Sequence, residues 1–309
     1  MPGSTRTRCP LCPNKPTRHD KRNVATVTIE HPYLNKLVAW ARSNAAIRAV
    51  VITGSLARDD NSVDEYSDLD VQIIARDISA YTADDSWLDA LGEVWIRFPL
   101  NEDLPYRLVW FAGGYKVDFQ FIRVDQIRAE LDSAALSDEY QRGYIVALDK
   151  DELFGCLPSS PRIFLSPPSP RAKEVLAAIN EFWFEAIHVA QFIRRREFWV
   201  VKYRDWTMKE DLLRLLEWHA RATGKDVNTW LLGKRIMDWA DEDAAEAIRQ
   251  IWASWDPADL WRGLLIQLEL FRRLSRELSQ ALGFEYSDAM HREIEGYIHR
   301  LYKEDQEAH

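Results

Sequence analysis

Three cysteines in 309 residues are too few for a disulfide framework, which excludes the small secreted scaffolds built on one and makes a reducing cytoplasm the expected compartment. No stretch approaches the roughly 18 uninterrupted apolar residues of a membrane span, so no membrane partner is expected. Arg6 and Arg8 have no apolar segment behind them, which is not the layout of a secretory signal. Positive charge is also short, since 40 Lys and Arg against 49 Asp and Glu leave a formal net charge of −9. Broad nucleic-acid binding draws on Lys and Arg that displace counterions from phosphate, so no nucleic-acid partner is expected. No internal repeat and no sustained heptad interrupts what is otherwise ordinary globular composition, with 47% hydrophobic and 29% charged residues. The one excess is tryptophan, 13 residues concentrated in the second half.

Four segments follow from the patterning. Residues 1–22 hold six basic residues and one acidic one with almost no aliphatic side chains, and such a segment cannot bury enough surface to offset its ordering entropy. It is expected to be a flexible basic tail. Cys9-Pro10-Leu11-Cys12 with His19 looks like half of a zinc knuckle, but a structural zinc site needs four ligands, so the tail reading is preferred.

Residues 23–157 read as mixed α and β. Leu34, Leu37, Val38 and Ala41 recur at helical spacing after Pro32. Arg48 to Thr53 is a short β-branched run ended by Gly54, a buried strand. Leu69–Ala75 and Glu93–Phe98 read as further strands, and Gly113-Gly114 between Arg107–Phe111 and Tyr115–Phe121 signals a hairpin. Residues 158–171 carry five of the chain's 13 prolines and are expected to be a linker. Residues 172–309 lose the strand pattern. Val175, Ile179, Phe182, Trp183, Ala186 and Ala190 trace a helical stripe, Leu212 to Ala220 a second, and Pro257 opens a third. The expected fold class is α+β, a mixed sheet with helices followed by an α-helical bundle.

The chemistry concentrates in one stretch. Val51-Ile52-Thr53-Gly54-Ser55 ends a strand with backbone N–H groups and a hydroxyl where an anion can sit. Twelve residues later comes Asp68-Leu69-Asp70-Val71. Two carboxylates two apart on a strand share a face and repel unless a cation lies between them. Mg2+ satisfies such a pair while keeping sites for phosphate oxygens. Asp118, between Val117 and Phe119, supplies a third carboxylate if its strand lies beside the first, able to ligate metal or take a proton from an attacking hydroxyl.

At these residues the sequence resembles the nucleotidyltransferase superfamily that includes DNA polymerase beta, whose signature is Gly-Ser after a strand, Asp-x-Asp about a dozen residues on, and a later third acid. The runs IRAVVITGS, SDLDVQIIARD, SWLDALGEVWIRFP, VDFQFI, NEFWFEAIHVA and KYRDWTMKEDLLRLLEWH further resemble the aminoglycoside 6-adenylyltransferases, the streptomycin-modifying group, over roughly residues 33–300. The first 22 residues have no counterpart.

That resemblance implies transfer of AMP from ATP to a streptomycin hydroxyl with release of pyrophosphate, and a polymerase-beta-like first domain. It implies that Gly54 and Ser55 hold the triphosphate, that Asp68, Asp70 and Asp118 bind Mg2+, and that Asp118 is the general base. Glu93 is the alternative base, because related antibiotic adenylyltransferases place a glutamate near that strand. Leu56 stands where close relatives are expected to have Arg, and Arg58 is the substitute phosphate contact. The helical half is expected to hold the cationic aminoglycoside with Glu185, Asp205, Glu210 and Asp211 interspersed with Trp183, Trp199, Trp206 and Trp218, while Lys202 and Lys209 reach the triphosphate. The chain is expected to act as a monomer or weak dimer. Two alternatives stay open: the same chemistry on another aminocyclitol, a lincosamide or a protein hydroxyl, and a nucleotide-binding module without catalysis.

Overall fold

The structure is a computed structural model that describes residues 31–308 apart from 59, 61, 101, 102, 133–135, 165, 225, 226 and 230. The basic segment 1–22, with Cys9, Cys12 and His19, lies outside the described residues. The chain divides between residues 165 and 166 into two units, and the class is α+β, as the patterning indicated.

The first unit is built on six strands, β1 (Ile47–Ile52), β2 (Leu69–Ala75), β3 (Val94–Phe98), β4 (Tyr106–Phe111), β5 (Tyr115–Arg123) and β6 (Ile145–Asp149). Their spatial order is β3-β4-β5-β2-β1-β6. Strands β2 and β5 run parallel, and the other neighbours run antiparallel. Among the described residues the unit also holds four short α-helices: α1 (Leu34–Ser43), α2 (Ser79–Thr82), α3 (Val124–Leu131) and α4 (Asp138–Arg142).

Side chains alternate across a strand, so each strand feeds both faces. Leu69, Val71 and Ile73 of β2 join Val117, Phe119 and Phe121 of β5 in one apolar cluster closed by Leu37 and Ala41 of α1. On the other face Ala49, Val51 and Ile74 pack with Ile127 of α3 and Tyr140 of α4. That second face carries the intervening positions of β2 and β5, Asp70, Gln72 and Asp118, and its apolar cluster stops short of them. Burial of one face fixes the register, because a one-residue slip would drive Asp70 into the larger apolar cluster.

Two details differ from the sequence reading. β1 begins at Ile47 and ends before Thr53, and Asp68, read as sharing a strand with Asp70, falls just before β2, which spans the expected Leu69–Ala75. β6 was not expected. Ile145 to Asp149 is a short apolar run whose periodicity does not separate strand from helix, and it becomes a strand by pairing with the open edge of β1. Cys156, in the loop after β6, is disulfide-bonded, where the sequence reading expected reduced thiols throughout.

The second unit is helical: α5 (Ala172–Arg194), α6 (Phe198–Ala222), α7 (Ile236–Trp239), α8 (Glu242–Gln250), α9 (Pro257–Leu282) and α10 (Asp288–Ala308). Local chemistry sets the ends. Asp256 accepts from the Asp259 N–H at 3.0 Å ahead of Pro257, a capped start with proline in the first turn. Asp241 caps α8 through the Ala244 N–H at 2.9 Å, so the acidic run at 241–243 is a helix start. Helices α5, α6 and α9 share the core, where Phe182 stacks on Phe271 at 3.6 Å between ring centres. Trp261, wholly buried, donates its Nε1–H to Asp305 at 2.9 Å and ties α9 to α10. No helix among the described residues is long and apolar enough to cross a membrane.

Candidate active site

Asp70 and Asp118 are register partners across the parallel β2–β5 pair. Like charges directly opposite one another destabilise a sheet, so the arrangement requires compensation. It comes from the same strand. Lys116, two residues before Asp118 and therefore on its face, donates from Nζ to Asp68 Oδ2 at 2.7 Å and to Asp118 Oδ2 at 2.7 Å. One carboxylate oxygen from each of Asp68, Asp70 and Asp118 lies within 4.8 Å of the others. The sequence reading placed all three on one divalent ion, and the fold brings them together although Asp68 and Asp118 are 50 residues apart.

The Gly54-Ser55 bend abuts this cluster. Thr53 N donates to the Asp70 carbonyl at 3.1 Å, and the chain then turns at Gly54 with φ 66° and ψ −152°. A Cβ at Gly54 would lie 1.7 Å from Asp70 Oδ2. Only glycine accepts both that backbone conformation and that proximity. The turn that follows, Ser55–Ala57, is braced by Gly143 after α4, where a Cβ would come within 2.3 Å of the Ala57 carbonyl oxygen. Deeper on the same face a polar network continues: Gln72 donates to Gln120 at 3.0 Å and to Glu139 at 2.8 Å, and the Tyr140 hydroxyl donates to Gln72 at 2.7 Å. This network seats α4, and with it Gly143, against β2.

Two buried oxygens of the site, Ser55 Oγ and Asp118 Oδ1, have no hydrogen-bond partner among the described residues. Buried polar atoms are seldom left so, and the three carboxylates are the hard oxygen donors that suit Mg2+. The residues present therefore fit a divalent ion and a phosphate.

The electrostatics agree. Burial, then the charges of Asp68 and Asp118, push the Asp70 carboxyl up to about 7. Burial also raises Asp118, against the pull of Lys116. A dicationic ligand would reverse both shifts by favouring the ionised forms. Arg58 is held below its ordinary value by burial, with Asp60, Asp70 and Asp68 acting the other way, so a guanidinium stands near the carboxylates. His31 is lowered by burial and feels Asp68.

Glu93, the alternative base, lies apart from the three carboxylates. It is exposed at the entry to the edge strand β3, its carbonyl accepting from Ala112 N at 2.8 Å, and β4 and β5 separate that strand from β2. Lys116, His31 and the Gln72–Gln120 pair were not singled out from the sequence. Lys116 carried a signal, since Lys-x-Asp on a strand puts both side chains on one face.

Within the helical unit the expected acceptor contacts are largely engaged. Glu185 accepts from Arg204 at 2.8 Å. Asp205 accepts from Lys209 at 2.5 Å and from Gln267 at 2.7 Å, which leaves Lys209 buried and paired. Lys202 donates to the Ala253 carbonyl. Asp211 is buried, with Oδ1 on Arg214 at 3.1 Å and Oδ2 without a partner among the described residues. Trp206 is exposed and donates to Glu210 at 3.0 Å, and Trp199 is exposed too. Trp183, which the sequence places both on the apolar stripe of this helix and among the candidate stacking rings, is buried and stacks on His291 at 5.0 Å. Its position on the core stripe of α5 decides that.

Comparison with known proteins completes the picture. An aminoglycoside 6-adenylyltransferase of Bacillus subtilis (strain 168) is 24% identical over 272 residues, covering 84% of this chain and 93% of its own. One of Staphylococcus aureus is 26% identical over 203 residues, covering 62% and 69%. A crystal structure of an aminoglycoside 6-adenyltransferase from Bacillus subtilis is similar at TM-score 0.41 and 20% identity, over 87% of this chain and 97% of that one. Residues 28–301 match the streptomycin adenylyltransferase family. With nearly the whole chain matched, and the Gly-Ser bend and acidic residues gathered in one place, the chain belongs to the streptomycin adenylyltransferase family of nucleotidyltransferases.

Proposed function

We propose that the protein transfers AMP from ATP to a hydroxyl of an aminoglycoside, with streptomycin as the acceptor, and releases pyrophosphate. The observation that carries this reading is the convergence of Asp68, Asp70 and Asp118 beside the Gly54-Ser55 bend.

The reading assigns the following roles. Gly54 lets the backbone approach the triphosphate closely, and the Ser55 hydroxyl and Arg58 bind its oxygens. Asp68, Asp70 and Asp118 would hold Mg2+, which when bound neutralises charge at the α-phosphate and on the leaving group. Asp118 Oδ1, without a hydrogen-bond partner among the described residues, takes the acceptor hydroxyl's proton as that oxygen bonds the α-phosphorus. The bond to the β-phosphate oxygen then breaks and its electron pair leaves with pyrophosphate. Holding the attacking and leaving oxygens in line is the larger part of the catalysis. Glu93 is the alternative base.

The helical unit supplies the contacts for a polycation. Asp211 and Glu185 are the leading carboxylates, with Asp205 and the exposed ring of Trp206. Lys202 and Lys209 are the proposed lysine contacts of the triphosphate; within the helical unit they donate to the Ala253 carbonyl and to Asp205. ATP as co-substrate places the work in the cytoplasm, with the protein acting as a monomer or weak dimer.

The test is pyrophosphate release from ATP and Mg2+ with a panel holding streptomycin, other aminocyclitols and a lincosamide. Release with streptomycin, together with a product heavier by one AMP, is expected. Release with another acceptor alone would move the substrate assignment, and release with none would favour a nucleotide-binding module.

A further inference from the structure

Lys116 is the residue of the acidic cluster that the adenylyl-transfer steps leave without a task. Its ammonium lies 2.7 Å from Asp68 Oδ2 and 2.7 Å from Asp118 Oδ2. It is also partly accessible, its side chain 25% exposed against 35% for Asp68 and 22% for Asp118. An ammonium is a compact charge with three donors, and here two of them take the two carboxylates that would have to turn toward a divalent ion. Mg2+ binds carboxylate oxygen at roughly 2.0–2.1 Å. An ammonium already bonded to both groups and a metal on the same oxygens would place two cations in one space.

We propose that Lys116 is an internal counter-ion that competes with the divalent metal for Asp68 and Asp118 and yields them when the metal enters, so that this lysine sets the metal affinity of the site. The proposal rests on the reading that the three carboxylates hold a divalent ion. Without a cation, Asp70 and Asp118 would face each other across β2 and β5 with no compensation, and like charges in that position repel. Lys116 offsets that repulsion while no metal is bound, through its bonds to Asp68 and Asp118. Its flexible four-carbon stem lets the ammonium move away without a change in the backbone. Asp70, half-buried beside Gly54, receives no hydrogen bond from Lys116 among the described residues, so a metal can engage it without displacing the ammonium. Exchange then needs only the two bonds to Asp68 and Asp118 to be given up.

A purely structural ion pair would act in the opposite direction. Removing it would splay the carboxylates and weaken metal binding. The two cases are separated by Mn2+ binding to the whole protein without ATP, measured from the electron paramagnetic resonance signal of free Mn2+. Lys116→Gln, which removes the competing charge and keeps a polar side chain, is expected to bind Mn2+ about tenfold more tightly than the unaltered protein, the scale of one nearby charge at a partly exposed site. Lys116→Arg, whose planar fork grips carboxylates bidentately, is expected to bind it about threefold more weakly. The Arg variant keeps the charge and so reports on the proposal even if the Gln variant fails to fold. Equal or weaker Mn2+ binding by folded Lys116→Gln, or tighter binding by Lys116→Arg, would overturn the lysine's role while leaving the metal site standing. If the unaltered protein and both variants bind no Mn2+, the metal reading falls and the lysine's role falls with it.

Discussion

Asp70 stands beside Gly54 so closely that the glycine's missing side chain is the space its carboxylate occupies: a Cβ there would lie 1.7 Å from Asp70 Oδ2. The anion-binding bend and the metal-binding carboxylate are therefore parts of one packed unit.

Gly54→Ala is accordingly expected to damage both. The substitution strains a backbone at φ 66° and ψ −152°, at a cost of about 1–3 kcal/mol, and displaces the Asp70 carboxylate. A lower melting temperature together with loss of pyrophosphate release checks this. A variant melting like the parent and fully active would show that the bend is not rigidly coupled to Asp70.

Asp70→Asn is expected to abolish turnover with the fold intact. The amide removes the burial penalty and the repulsion from Asp68 and Asp118 that together raise this carboxyl to about 7, so the variant should melt no lower than the parent at pH 8, while Mn2+ binding weakens. Circular dichroism melts and metal titration separate the two effects.

Asp118→Asn is expected to leave ATP affinity within a few-fold and to lower kcat about a hundredfold or more, the scale of losing a general base. Glu93→Gln is the control. If turnover survives the first change and falls with the second, the base lies at the edge strand instead.

Asp211 yields a pH-dependent expectation in the helical unit. Burial first, then Glu181, opposed by Arg214, push its carboxyl up to about 7 from 3.8. The folded protein thus holds a proton that the unfolded chain releases, and the stability this residue contributes declines as pH rises from about 4 to 7. Asp211→Asn removes that decline. The variant should melt several degrees higher than the parent at pH 8, about 2–4 °C for each kcal/mol gained, and differ least near pH 4. If Asp211 also meets the cationic acceptor, the same variant raises KM for streptomycin while stabilising the fold, an exchange common at binding sites. A melting difference that does not change with pH would locate the effect elsewhere.

Much of this could be read directly from residue order. The strand at Leu69–Ala75, the hairpin at Gly113-Gly114, the helical second half and the three carboxylates all announce themselves through local rules, because period-two alternation, turn residues and apolar stripes act over a few residues. The match to a known family came from runs of the same short reach.

What those rules do not reach is adjacency. That β5 lies parallel beside β2, putting Asp118 opposite Asp70, depends on which strands pair across 48 residues. β6 became a strand only because β1 offered it an edge. Trp183 reads like any other tryptophan until the core of α5 closes over it. Lys116 is an unremarked lysine on an alternating strand until Asp68 and Asp118 arrive on either side of its ammonium. Composition and spacing determined which chemical groups this protein carries and the local shape of the segments that bear them. The sheet decided which groups meet, since charges interact through space and the contacts between distant segments exist only once the apolar faces have been buried together.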